Sequence, residues 1–127
     1  LAVGLPENTA EVQRIVEACA QARLPLLVRG RGTATTGATV PLEPSVVLCT
    51  ERMRAIRRFS PENRYVEVEP GLLNGELQAF LRPHGFFWPP DPTSAPYASI
   101  GGNLACNAGG PRTVKYGASR DNVLGLS

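Results

Sequence analysis

The chain has 127 residues, 43% of them hydrophobic, which bounds it to one domain or a large part of one. Its 13 Lys and Arg against 11 Asp and Glu leave a net charge of +2, too little to argue for a nucleic-acid partner. No apolar run approaches the roughly 18–20 residues of a membrane-spanning helix.

Asn8 or Thr9 is placed to cap a helix, with Glu11 completing a capping box from Asn8. Val12, Ile15, Val16 and Cys19 then follow helical spacing, so a helix is predicted over 9–23, ended by Pro25. Short strands are predicted at 26–29 and 46–49. The basic stretch Arg52-Met-Arg-Ala-Ile-Arg-Arg58 reads as a solvated turn or short helix. Tyr65-Val-Glu-Val-Glu69 alternates as a third strand, stopped by Pro70-Gly71. A helix over 74–82 points Leu77, Phe80 and Leu81 inward, with Gly85 as its C-terminal cap. Beyond residue 88 proline and glycine dominate, and one short helix is predicted at 100–108. Val123-Leu-Gly-Leu-Ser127 reads as a strand just starting, and the chain opens on Leu1 rather than Met; both suggest a piece of a longer protein. The expected architecture is α+β: a small lobe over 1–88, helices against a few-stranded sheet, followed by a Gly/Pro-rich extended arm over 89–127.

The 3 cysteines form no Cys-x-x-Cys pair. Cys19 and Cys49 read as small buried hydrophobes of a reducing compartment, and Cys106 is also expected to pack. His84, the 1 histidine, has no ligand pattern around it and reads as a surface cap residue, so no metal site is expected.

Two glycine-rich stretches carry the functional signal. Residues 99–117 hold two Gly-Gly pairs, 101–102 and 109–110, with Asn103 and Asn107 between them. So little side-chain bulk points to a wrapping of backbone N–H groups around a phosphate or pyrophosphate, with Gly102 expected at positive φ. Upstream, strand 26–29 runs straight into Gly30-Arg-Gly-Thr-Ala-Thr-Thr-Gly37. A dinucleotide fingerprint fails here because the third glycine comes too late and 35–41 is no helix start. A P-loop fails because Ala38 stands where its Lys belongs. Taken alone, 30–37 reads either as a phosphate loop or as a flexible turn.

The ordered series is more specific than either stretch. It runs Pro25, Arg29-Gly-Arg-Gly-Thr33, Gly37, Val68-Glu-Pro-Gly71, Pro89-Pro-Asp-Pro92, Ile100-Gly-Gly-Asn103, Asn107-Ala-Gly-Gly110, Lys115-Tyr-Gly117 and Asp121-Asn-Val-Leu-Gly125. Over essentially the whole chain it resembles the FAD-binding (PCMH-type) domain of the vanillyl-alcohol-oxidase flavoenzymes. Within that family it is most similar to the branch holding D-lactate dehydrogenases and the FAD-binding subunit of glycolate oxidase.

The resemblance implies a first FAD-binding subdomain over 1–88, then a flavin-wrapping arm and the start of a second, truncated subdomain. It implies cofactor contacts from Arg29, Gly30, Arg31, Gly32, Thr33 and Gly37 at the pyrophosphate. Pro90, Asp91 and Ser94 would sit in a turn passing close to the cofactor. Ile100, Gly101, Gly102 and Asn103 belong to the motif facing the pyrophosphate and ribityl chain, and Asn107, Gly109, Gly110, Tyr116 and Gly117 to the path toward the isoalloxazine. Members that attach flavin covalently place a His just after the Gly-rich loop. Gly32 and Thr33 stand there, which implies non-covalent FAD.

The implied reaction is oxidation of a D-2-hydroxy acid of the glycolate or D-lactate type, with catalytic residues outside these 127 positions and the fragment inactive alone. Other subunits of an oxidase complex are implied partners, in the cytoplasm or at a membrane through those subunits. Three other readings stay open: a non-catalytic nucleotide-binding module, half of a split flavoprotein, and an enolpyruvyl-glucosamine reductase-like enzyme. Pro89-Pro-Asp-Pro92 and Lys115-Tyr-Gly117 speak against the last.

Overall fold

The computed structural model describes residues 2–127. Its first layer is a parallel sheet of β1 (Ala2–Gly4), β3 (Val46–Cys49) and β2 (Leu26–Arg29), with β3 in the middle. Val3, Val47 and Leu27 lie in one row across it, and Gly4, Leu48 and Val28 in the next. Side chains alternate between faces, so these rows point to opposite sides. The Leu48 side is covered by helix α1 (Thr9–Gln21), whose Ile15 lies against Gly4. Asn8 caps this helix by accepting from the Glu11 N–H at 3.0 Å; the Glu11 carboxylate accepts from the Glu7 N–H at 2.8 Å, not from Asn8 as expected. Strand β1 had no local signal, because three small residues become a strand only through the partner they find in β3.

A short 3-10 turn at Thr50–Arg52 leads into a second sheet, the antiparallel pair β4 (Ile56–Ser60) and β5 (Tyr65–Val68). The stretch expected to be a solvated turn or short helix therefore contains most of a strand. Its alternation is hidden by a register shift between Ile56 and Arg58 and by two exposed arginines. Arg57 pairs with Glu69, whose carboxylate also accepts from the Ala55 N–H at 2.7 Å, so the entry of β4 is tied to the exit of β5.

Helix α2 (Asn74–Leu81) packs on this hairpin and continues as one 3-10 turn to His84, where Gly85 at φ 76 ends it. Leu72, Leu77, Leu81 and Ile100 form the buried cluster, ringed by Ile56, Phe59, Val66, Val68, Phe80, Phe86, Trp88 and Leu104. His84 is exposed but stacks against Phe59, ring centroids 4.9 Å apart.

The chain beyond 89 is not an extended arm. Asn74 Nδ2 donates to the Pro90 carbonyl at 3.0 Å, and the Ile100 N–H to the Leu72 carbonyl at 2.8 Å. Helix α3 (Ile100–Ala105) thereby delivers Ile100 into the core. Helix α4 (Thr113–Tyr116) and a 3-10 turn at Ser119–Asn122 follow. The strand expected to start at Val123 does not form within these residues. Cys19 and Cys49 are buried as expected, whereas Cys106, expected to pack, caps the end of α3 and is exposed. It follows the last helical residue, where no neighbouring element covers it.

Two tests follow from this packing. Ile100→Ala should destabilise the protein by about 2–4 kcal/mol in urea unfolding, the range for a truncated core isoleucine; a residue on a loose arm would move stability by less than about 0.5 kcal/mol. The second concerns Glu76. Partial burial works against its charge, but the Leu73 N–H at 3.0 Å and the Arg54 guanidinium hold its carboxyl below the usual carboxylate range. A depressed carboxylate stabilises the fold above its unfolded-state pKa, and that contribution is lost as pH falls through the lower folded-state value. Glu76→Gln should therefore reduce stability at neutral pH and flatten the loss below about pH 4.5, read from thermal unfolding between pH 3 and 7.

Candidate cofactor site

Strand β2 is the edge of the parallel sheet, and the chain leaves it at Arg29 into the glycine loop. Gly30 sits directly beneath Ser99: a side chain on Gly30 would collide with Ser99 Oγ and come within 3.8 Å of the Gly102 N. Ser99 is buried and caps α3, accepting from the Gly102 N–H at 3.3 Å. The two glycine stretches singled out in the sequence thus meet at one point.

Beyond that contact the loop is open. Gly32 takes φ 68, a conformation that glycine adopts without strain, and the Arg29 guanidinium lies over it. Arg31 pairs with Glu51 at 3.1 Å. Thr33 is exposed, and Gly37 at φ 75 closes a turn, its carbonyl accepting from the Val40 N–H at 2.9 Å. None of the backbone N–H groups of residues 31–37 donates to a partner among the described residues. Consecutive free N–H groups on a loop with Gly32 and Gly37 at positive φ are the elements of an anion-binding concavity.

The second stretch behaves differently. The N–H groups of Gly101, Gly102, Asn103, Asn107, Gly110, Tyr116 and Gly117 all have partners within the chain. Gly101 lies on Pro70, and Gly102 is an ordinary helical residue of α3, so the expected positive φ is corrected. Ile100 cannot present its side chain to a ligand, because it is 4% exposed in the core. Asn103 is also buried, and its Nδ2 has no partner among the described residues. Asn107, at φ 47, accepts from the Arg120 N–H at 3.1 Å.

The remaining sites form a second cluster. Pro90 is buried, and the Ser94 carbonyl accepts from the Tyr97 and Ala98 N–H groups at 2.8 Å. Asp91 pairs with Arg112 at 3.2 Å, and Gly110 packs against the Asp91 carbonyl. Gly109 lies on Thr113 and Gly117 on Asp121, while Tyr116 meets Phe87 edge to face with centroids 5.2 Å apart. What sequence reasoning missed is Cys49, Glu51 and Ser99, which act on the loop from elsewhere in the chain; only the fold brings them there.

On the sheet face away from α1 lies a groove of about 510 Å³, floored by Val3, Leu5, Val47 and Cys49 and walled by Arg29, Gly30, Arg31, Thr39, Pro41 and Glu51. It opens at the carboxyl ends of parallel strands, where ligands of open parallel sheets characteristically bind. Among the described residues no group of His, Cys, Asp and Glu is placed to hold a metal, and no helix is long and apolar enough to cross a membrane.

The FAD binding domain family matches residues 1–127. The chain belongs to that family, and FAD is its cofactor. The glycolate oxidase subunit GlcD of Bacillus subtilis is 41% identical over 125 residues, covering 98% of this chain and 27% of that protein. A D-lactate dehydrogenase of Archaeoglobus fulgidus is 37% identical over 121 residues, 95% of this chain and 27% of its own length. Among solved structures, an alkyldihydroxyacetonephosphate synthase superposes with TM-score 0.88 at 25% identity, covering 96% of this chain and 23% of the other. The Phl p 4 N158H variant, a glucose dehydrogenase, gives TM-score 0.84 at 23% identity, covering 96% and 25%, a likeness of fold. The chain thus spans about a quarter of the length of the relatives it matches.

The Gly30–Ser99 contact makes a direct test. Gly30→Val should reduce the FAD content of the purified protein at least about tenfold, since the side chain must displace either the loop or the start of α3. Gly125→Ala, where nothing lies within 4 Å, is the control and should retain a full complement. Equal flavin content in the two proteins would show that the loop does not depend on this contact.

Proposed function

We propose that this chain is the FAD-holding part of a flavin-dependent oxidoreductase that oxidises a D-2-hydroxy acid of the glycolate or D-lactate type. The observation that carries the reading is the row of unpartnered N–H groups over 31–37, fixed at its base by Gly30 against Ser99. Pyrophosphate is the part of FAD whose chemistry suits such a row, because its oxygens accept several N–H bonds at once. The substrate class rests on the identity shared with GlcD and with D-lactate dehydrogenases.

In this reading Gly30, Gly32 and Thr33 hold the pyrophosphate through backbone and hydroxyl donors, with Arg29 and Arg31 supplying positive charge beside it. The turn at 90–94 and the stretch 100–117 shape the surface along which the rest of the cofactor lies. Much of that surface is built from internally bonded backbone, so its contribution is shape more than hydrogen bonding. FAD supplies, when bound, the two-electron acceptor that oxidation of a hydroxy acid to an oxo acid requires. The side chains that take the substrate's proton and bind its carboxylate lie outside these residues, and other subunits of an oxidase complex are the natural partners.

The absence of His at positions 32 and 33 makes the attachment non-covalent. The full-length protein should purify yellow, and acid precipitation should leave FAD in the supernatant; flavin remaining in the pellet would contradict this. Under anaerobic conditions glycolate or D-lactate should bleach the flavin absorbance, and L-lactate should not. A flavin that none of these acids reduces would exclude the proposed substrate class while leaving the cofactor assignment intact.

A further inference from the structure

Cys49 is buried, at 6% exposure, on the floor of the groove beside the glycine loop. It pairs in register with Arg29, so it stands at the point where β2 becomes the loop. Its thiol donates to the Gly30 carbonyl at 3.6 Å. Among the described residues it has no disulfide partner.

That one bond fixes the direction of a peptide plane. In a trans peptide the C=O and the following N–H point opposite ways, and the described residues contain no cis bond. With the Gly30 carbonyl drawn toward the Cys49 thiol, the Arg31 N–H points away from that thiol. Arg31 follows Gly30 in the run whose N–H groups lack partners among the described residues. If this peptide flipped, the loop would present a carbonyl oxygen where it now presents an N–H, and a donor would become a repulsive acceptor for an anion.

We propose that Cys49 is a positioning residue of the cofactor site: its thiol holds the Gly30–Arg31 peptide so that the Arg31 N–H, and not the Gly30 carbonyl, joins the row of donors to the pyrophosphate. This rests on the FAD reading above and adds a residue distant from the glycine loop in sequence. The steric contact with Ser99 restrains Gly30 from one side, but bulk alone does not choose between two orientations of a peptide. A hydrogen bond does.

The test compares Cys49→Ala with Cys49→Ser in the full-length protein. Alanine and serine have nearly the same volume, so the packing lost with the sulfur is common to both, and only serine keeps a donor. Its oxygen lies closer to its own backbone than the sulfur did, and Ser99 limits how far Gly30 can follow, so serine restores the bond in part. The apoprotein of each variant is titrated with FAD. Cys49→Ala should bind roughly two- to fivefold more weakly than the parent, the worth of one weak thiol hydrogen bond. Cys49→Ser should recover part of that affinity. The phosphorus resonances of bound FAD should move in Cys49→Ala and return toward the parent positions in Cys49→Ser. Equal affinities and equal phosphorus shifts in the two variants would overturn the proposal, because they would leave cysteine only a packing role. A parent protein that binds no FAD would remove the cofactor reading itself, an outcome separate from equality of the two variants.

Discussion

The contact between Gly30 and Ser99 is the constraint on which the rest of the site depends. It joins the end of the parallel sheet to the start of α3, two places far apart in sequence that share no sheet and no helix. Ser99 caps α3, forms an isolated bridge with Leu73, and occupies the volume that any side chain on residue 30 would need. The Pro70–Leu73 turn supports the same junction. Pro70 and Leu72 accept from Gly101 and Ile100 at 2.8 Å, and the Gly71 N–H reaches the Met53 carbonyl at 2.7 Å. Gly71 itself is pressed against the Thr50 carbonyl. Three turns converge there, and the glycine loop leaves from their meeting point with its first residue already fixed. A loop held at its base loses less freedom when a ligand arrives, so more of the contact energy remains as affinity.

The two glycine-rich stretches consequently have different physical roles. The loop over 31–37 is open, and its donors have no partners in the chain. The stretch over 99–117 is largely closed, bonded to itself and to its neighbours, with the Gly109 N–H left without a partner among the described residues. There the small residues serve packing: Gly101 lies on Pro70, Gly109 on Thr113 and Gly110 on Asp91. The Ala108 carbonyl accepts from both the N–H and the hydroxyl of Ser119, which is fully buried. One stretch leaves its N–H groups without partners among the described residues, and the other bonds and packs within the chain.

Much of this fold was legible from local pattern. The spacing of Val12, Ile15 and Cys19 marked α1 to within two residues of its end, and 26–29 and 46–49 read directly as strands. Elements whose identity depends on a distant partner were not legible. Strand β1 is three residues long and exists because β3 lies beside it; β4 carries arginines and a bulge where a clean alternation was sought. At the site, residue type misled in a specific way. Glycine density in 99–117 suggested exposed N–H groups, but glycine also permits close packing, and sequence does not distinguish the two uses. Ile100 belongs to a motif and also to the core, and only the second role is visible in its burial. The action of Cys49 and Ser99 on the glycine loop gave no signal, because each reaches it from another part of the chain.

The charges around the loop complete the physical picture. Arg31 is paired with Glu51, but both side chains are about two-fifths exposed, and an ion pair in that setting contributes only about 0–1 kcal/mol. Breaking it therefore costs little, and the guanidinium is free to turn toward a stronger anion. Arg29 has no carboxylate partner among the described residues and already lies over Gly32, within the loop. The carboxylate of Glu51, two-fifths exposed, would be screened in part by solvent if Arg31 moved away. A pyrophosphate entering the loop would meet unpartnered N–H groups first and two arginines second, with no buried negative charge to displace. The exposure of Glu51 is therefore as much a part of the site's electrostatics as the arginines are. A carboxylate buried beneath the loop would oppose an anionic ligand, whereas one partly screened by solvent opposes it less.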